Sequence, residues 1–164
     1  MKTYKRIFNE VKQSAFSIFK KKTFYIVTGS FGSGKSTYTK ALTKKLKTGY
    51  AQEYQVGIDI SENKWWEEIM FYGYEYNTTI IETHLAVQGK DMVDGWGRNI
   101  DISKAKVKLP PDNIKFIFMD SLSPEVLRKR NAHFDDYEDD EIEYYNKWYE
   151  ILKKKLSKNV VKKL

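Results

Sequence analysis

Residues 29–36 read Gly-Ser-Phe-Gly-Ser-Gly-Lys-Ser, with the spacing G-x-x-x-x-G-K-S, and few local patterns restrict a fold as tightly. Ahead of them, Thr23-Phe-Tyr-Ile-Val-Thr28 has the β-branched and aromatic character of a buried parallel strand. Behind them, apolar Tyr38, Ala41, Leu42 and Leu46 fall at helical spacing until Gly49, which is expected to stop the helix. In a strand–glycine loop–helix context, backbone N–H groups converge on a polyphosphate and the helix N-terminus adds partial positive charge. Lys35 is expected to reach the β and γ phosphates, and the Ser36 hydroxyl to take a place on Mg²⁺. Gly29, Ser30, Phe31, Gly32, Ser33, Gly34, Lys35, Ser36 and Thr37 are therefore the expected binding residues for a nucleoside triphosphate. ATP and Mg²⁺ are the expected cofactors.

At 164 residues the chain has room for one domain, expected to span 1–164. It contains no apolar run of the length a membrane span needs, and its first residues are charged and amphipathic rather than a signal segment. The absence of cysteine excludes disulfides, thiolate metal sites and thiol nucleophiles. Together with the need for ATP, it fits a cytoplasmic location. The charge is uneven. Residues 1–22 hold seven Lys/Arg against Glu10, and residues 153–164 hold six Lys and no acid, whereas the remainder carries 16 basic and 21 acidic residues. Basic ends of this kind are either the solvated faces of terminal helices or a patch that attracts nucleic acid or another anionic surface.

Tyr4, Ile7, Phe8, Val11, Ala15, Phe16 and Phe19 form one stripe, which predicts an amphipathic helix within residues 1–22, packed on the domain or on a partner. Further strands are predicted at Tyr54–Ile60, closing on Asp59, at Thr78–Ile81, ending in Glu82, and at Ile114–Met119, ending in Asp120. An aromatic helix is predicted over Glu62–Tyr76, and another near residues 85–95. Ser123-Pro124-Glu125 reads as an N-cap, a first-turn proline and an early acid, opening a helix to about Ala132. After the acidic run Asp135–Asp140 comes a last helix with Ile142, Tyr145, Tyr149, Leu152 and Leu156, then a short fifth strand at Asn159–Val161. Alternating strands and helices predict an α/β protein. The expected form is the three-layer α/β/α fold of P-loop NTPases, with a mostly parallel sheet of four to five strands and a short lid over residues 123–141.

Thr78-Thr-Ile-Ile-Glu82 places an acid where it supports Mg²⁺, commonly through water, so Ser36 and Glu82 form the expected metal pair. The segment Lys115–Arg130 runs strand, turn, capped helix and then basic residues entering an acidic loop. In this segment the sequence resembles the P-loop nucleoside and nucleotide kinases, among them deoxynucleoside and thymidylate kinases. The resemblance covers roughly residues 23–156. It implies that Arg128 and Arg130 are lid arginines closing over the donor phosphates, and that Asp59 sits near the acceptor hydroxyl, with Lys35, Asp59, Arg128 and Arg130 as the catalytic set. Asp59-Ile-Ser-Glu-Asn-Lys-Trp65 is similar to the acid–tryptophan pattern of deoxynucleoside kinases, and Glu82-Thr-His84 stands where those enzymes have Glu-Arg-Ser. The arginine of that motif is missing, as is the Asp-Arg-Tyr run of thymidylate kinases. Arg98 in Gly95-Trp-Gly-Arg98 is a candidate for the missing cation, and Trp65 and Trp66, with Asp59 and Glu82, for contacts to the acceptor. His84 and His133 have no partner spacing for zinc or a nucleophile pair, and read as ordinary polar residues.

The expected function is transfer of the γ-phosphoryl of ATP to a small-molecule acceptor, a nucleoside or nucleoside monophosphate. Two alternatives stand beside it: a kinase acting on a hydroxyl of DNA or RNA, suggested by the basic ends, and a nucleotide-switch ATPase working through its N-terminal helix. Aromatic residues on the terminal helices leave a homodimer open.

Overall fold

The computed structural model describes residues 21–59, 76–88, 102–104, 107, 109–130 and 137–164, with the backbone alone for 49–59 and 86–88. The amphipathic helix expected within residues 1–22, the aromatic helix before Tyr76, and residues 89–101 lie outside that set.

Strand β1 (Thr23–Thr28) leads through the glycine loop into helix α1 (Lys35–Leu46); β2 (Gly49–Asp59), β3 (Thr78–Gln88) and β4 (Ile114–Phe118) follow. Helix α2 (Pro124–Arg130), helix α3 (Asp139–Lys155) and a 3₁₀ turn at Ser157–Asn159 complete the described elements. The four strands form one sheet in the order β2-β3-β1-β4, and every pairing is parallel. Parallel strands must be covered on both faces, and side-chain alternation along β1 and β4 divides the core accordingly. Phe24, Ile26, Ile114, Phe116 and Phe118 face Trp148, Tyr149 and Leu152 of α3 and Leu156 just after it. On the other face Val27 and Ile117 join Ile80 and Leu42 of α1, with Tyr25 and Tyr38 packed at the margin. The three-layer α/β architecture is as the sequence predicts.

Several boundaries differ from the sequence expectation. Helix α1 ends at Leu46 rather than at Gly49, because Lys47 turns left-handed (φ 51°) and its N–H bonds the Thr43 carbonyl; Gly49 instead opens β2. Strand β3 does not end at Glu82 but continues to Gln88, so the helix expected near residues 85–95 is strand over its first part. The extension is held by β2, with Gln55 opposite His84 and Asp59 opposite Gln88. Since β1 pairs with β3 only as far as Val27 opposite Glu82, the β2–β3 ribbon projects past the glycine loop. The expected fifth strand is a single parallel bridge, Val160 to Phe116. Among the described residues no helix is long and apolar enough to cross a membrane.

Asn159 fastens the C-terminal segment to the loop before β4. Its side chain is almost fully buried, and its amide Nδ2 lies 3.0 Å from the Ile114 carbonyl, 3.1 Å from that of Pro111 and 3.4 Å from that of Pro110. Replacing it by Ala leaves buried carbonyls without a donor, so Asn159→Ala should lower unfolding stability by about 1–3 kcal/mol. Asn159→Asp should cost more, because a carboxylate would face the same three acceptors. Urea unfolding midpoints give the comparison; an Asp variant as stable as the Ala variant would contradict this role.

Candidate active site

The glycine loop leaves β1 at Thr28, whose carbonyl accepts from the Met119 N–H at 2.8 Å. Gly29 follows with φ 147°, and a Cβ added there would stand 3.0 Å from the Met119 Cβ, so close approach to the β4 end excludes any side chain. At the far end Gly34 is the N-cap of α1 in a left-handed conformation (φ 87°), which swings the chain into the helix. Between them Ser33 Oγ donates to the Ser30 carbonyl at 2.8 Å, closing the loop upon itself.

Lys35 is the first residue of α1 and only 8 % exposed. Its ammonium donates to the Gly29 carbonyl (2.9 Å) and the Ser30 carbonyl (2.8 Å). Burial lowers its pKa from the ordinary 10.5 to about 8, against the opposing attraction of the Glu82 carboxylate. Glu82, 6 % exposed, reaches α1 from β3 through both carboxylate oxygens. Ser36 Oγ contacts Oε1, and Thr39 Oγ1 lies 3.2 Å from Oε2. The parallel register of β1 and β3 sets this up by holding Val27 beside Glu82 at the root of the loop.

A cleft of about 340 Å³ opens over these groups, lined by Phe31 to Thr37 and by Glu82, Thr83 and His84. It lies at the small end of the range for small-molecule sites. Its polar equipment suits a magnesium-bound polyphosphate. A buried ammonium sits in the glycine loop at the N-terminus of α1, and a hydroxyl and a carboxylate, both hard oxygen ligands, stand side by side. Among the described residues no group of three or more acidic or histidine side chains could hold a metal alone. A magnesium ion here would take Ser36 and Glu82 with phosphate and water oxygens, the usual division of labour for that ion.

The other sequence-predicted residues are placed less closely. Asp59 pairs with Gln88, six positions beyond Glu82 on β3 and on the order of 20 Å further along the strand direction. The described backbone does not bring it to the cleft, because β2 and β3 run on together past the glycine loop. Arg128 is engaged elsewhere, in an ion pair with Asp139 and a hydrogen bond to the Tyr137 carbonyl at 3.1 Å. Arg130 is exposed at the end of α2. Helix α2 starts as the sequence implies, with Ser123 Oγ 3.4 Å from the Val126 N–H. Leu127 of α2 packs with Ile142 of α3. Trp65, Trp66 and Arg98 lie outside the described residues, as does the middle of the expected lid, residues 131–136.

Three site residues were not anticipated: Thr83, which lines the cleft, Thr39 and His84. Thr39 is fully buried and its hydroxyl meets Glu82, the Lys35 carbonyl (2.9 Å) and the Ser36 carbonyl (3.1 Å). Its position one helical turn after Lys35 and Ser36 was the available signal. His84 lines the cleft; strand alternation puts it on the Glu82 face once β3 is known to continue. Burial, with the neighbouring Lys35 charge, lowers its pKa to about 4 against the attraction of Glu82, so its ring is neutral at physiological pH.

No protein-family model and no curated protein matches the chain. Among solved structures it is similar to shikimate kinase from Bacteroides thetaiotaomicron, with 17 % identity over 86 % of each chain and a TM-score of 0.39. At that level of likeness, the functional argument rests on the site's own geometry.

The depressed Lys35 pKa sets a direction for pH dependence. Above about pH 8 the empty loop loses the charge that an anionic ligand needs, so binding there must take up a proton. Mg·ATP affinity should weaken from pH 7 to pH 9, with proton uptake rising across that range in calorimetry run in buffers of different ionisation enthalpy. By the same sign, Lys35 makes the unliganded fold more stable as pH rises from about 8 to 10.5, where only the unfolded chain retains the proton. An affinity flat with pH and free of proton uptake would contradict the shift.

Proposed function

We propose that this chain is an ATP-dependent phosphotransferase that moves the γ-phosphoryl group to a small-molecule acceptor, a nucleoside or nucleoside monophosphate. One observation carries the reading: the buried Lys35 ammonium inside a glycine loop, beside the Ser36–Glu82 pair. Phosphoryl transfer asks a protein chiefly for positioning and charge neutralisation. Lys35 would turn from the Gly29 and Ser30 carbonyls to the bridging phosphates, and Ser36 and Glu82 would hold a magnesium ion, whose charge would offset that of the phosphates. Thr39 holds the second Glu82 oxygen, which fixes the carboxylate. The acceptor oxygen bonds to the γ phosphorus, the bond to the ADP oxygen breaks, and the acceptor's hydroxyl proton passes to solvent water. The Arg128–Asp139 pair ties α2 to the start of α3, and the kinase resemblance makes exposed Arg130 the candidate cation for the donor phosphates. The nucleoside class is supported by the resemblance in the capped helix and basic segment and by the aromatic surroundings of the cleft.

A second reading, transfer to a nucleic-acid hydroxyl, is favoured by one feature. Lys153, Lys162 and Lys163 gather with Asp120 around a cleft of about 460 Å³ at the C-terminal end of β4. The Lys163–Asp120 ion pair (2.6 Å) offsets one of the three charges. Nucleic-acid binding there would weaken steeply with salt, whereas a nucleoside kinase would be nearly indifferent to it.

Incubation with γ-labelled ATP, Mg²⁺ and a panel of nucleosides, monophosphates and oligonucleotides, resolved by chromatography, tests both readings. A labelled nucleoside or monophosphate is expected, and label appearing only in oligonucleotides would move the assignment to the second reading. Lys35→Ala should lower kcat by about 10²–10³-fold, on the scale of losing one preorganised charge contact to the transition state. Unchanged turnover would remove Lys35 from the mechanism.

A further inference from the structure

Among the described residues, the titratable side chains that line the phosphate cleft are Lys35, Glu82 and His84. The first two already have roles. Lys35 belongs to the glycine loop, and Glu82 shares the metal position with Ser36. His84 is left over, and so is one task. Asp59, expected from the sequence to attend the acceptor hydroxyl, pairs with Gln88, on the order of 20 Å beyond Glu82 along the strand direction. Among the described residues, Glu82 is thus the one carboxylate that lines the cleft.

The position of His84 on β3 suits the vacant task. A magnesium ion held with a phosphate loop bridges the β and γ oxygens, so Glu82 marks the γ end of a bound triphosphate. Side chains two residues apart on a strand share a face and stand roughly 7 Å apart. His84 therefore lies one step past the metal carboxylate, in the direction in which β3 outruns β1 and the glycine loop. Its imidazole is close enough to Lys35 and Glu82 for both charges to act on it. The ring is also held in place. Phe31 meets it at 5.2 Å with the planes tilted by 41°, and Phe31 is itself packed on Tyr137 at 5.5 Å and on Tyr145, edge-on, at 5.1 Å. A polar group carried on a strand and fixed by packing keeps its aim better than one on a loop.

From this we infer that His84 orients the acceptor hydroxyl: an imidazole nitrogen accepts its hydrogen bond and holds the oxygen in line with the γ phosphorus. A neutral imidazole has one nitrogen that accepts and one that donates. The acceptor oxygen bonds to the γ phosphorus, and the bond from that phosphorus to the ADP oxygen breaks. The proton leaves along the hydrogen bond to His84 and passes on to solvent water, so the ring ends as it began. The inference rests on the kinase reading above and names the residue that presents the acceptor. Because transfer depends on alignment, losing such a contact slows turnover more than it weakens binding of the donor.

The test uses the full chain with Mg·ATP at pH 7.5, and as acceptors deoxyadenosine, deoxyguanosine, deoxycytidine and thymidine with their 5′-monophosphates. With the member that the unaltered chain phosphorylates fastest, His84→Ala should lower kcat by about 10²-fold. His84→Phe keeps an aromatic ring against Phe31 but has no nitrogen, and should be as slow. His84→Gln restores a hydrogen-bond acceptor and should be at least about tenfold faster than His84→Ala. Imidazole added to the Ala variant should raise its rate by about tenfold as well, a rescue that a merely structural role would not show. Calorimetry should place the Mg·ATP dissociation constants of all three variants within about threefold of the unaltered chain, which also shows that they fold. Several outcomes would overturn the role of His84 while the kinase reading stands: a Phe variant as fast as the unaltered chain, no gain from either Gln or imidazole, or equal weakening of Mg·ATP binding and turnover. Transfer to none of these acceptors despite bound Mg·ATP would overturn the inference together with the nucleoside class. Absence of Mg·ATP binding by the unaltered chain would overturn the kinase reading itself.

Discussion

Placing an ammonium group at the end of a buried sheet is the constraint around which this structure is organised. Lys35 enters a region where an isolated charge would be strongly disfavoured. It is tolerated because the loop folds two of its own carbonyls onto it and a carboxylate stands close by. Each compensating group has a geometric source. The carbonyls come from a loop whose glycines adopt conformations that other residues resist, and the carboxylate comes from a strand whose register with β1 is fixed by five consecutive parallel pairs. Shifting that register by one residue would turn Glu82 to the opposite face of the sheet. The ammonium is held by carbonyl dipoles of the loop itself, so its charge is compensated within the fold.

The parts of the fold most legible in the sequence are those where local chemistry and tertiary role agree. The glycine loop, β1, α1 and the Ser123-Pro124 helix start each carry their own signal, and the structure has them in place. Less legible were features set by a distant partner. The residues after Glu82, Thr-His-Leu-Ala-Val-Gln, have no strong alternation, and they are strand because β2 lies alongside them. That pairing also explains why Asp59, expected beside the acceptor, stands far along the ribbon. A composition that suits a strand end says nothing about how far the neighbouring strand continues.

The same distinction applies to charged residues. Arg128 reads as a lid arginine from its position, yet an acid eleven residues onward holds it across a segment that sequence periodicity treats as a spacer. His84 reads as an ordinary polar residue because a single histidine has no spacing to interpret. Its place in the cleft follows from strand alternation together with Phe31, a residue that the glycine-loop pattern leaves unspecified. Asn159 shows the limit most clearly. Its amide serves three carbonyls some 45 to 49 positions earlier in the chain, a relation that only the folded structure supplies.

Strand β1 is hemmed in by neighbours that come much later in the chain, Thr23 beside Thr78 and Phe24 beside Ile114. Long loops must close before either neighbour arrives, which makes a sheet of this kind slow to assemble. The loop that leaves β1 therefore has no finished shape until the topology is complete. Ligand capture becomes a late property of the maturing molecule, and any triphosphate bound there draws the whole equilibrium toward the assembled state. In such a protein, occupancy and structural integrity are two readings of a single event.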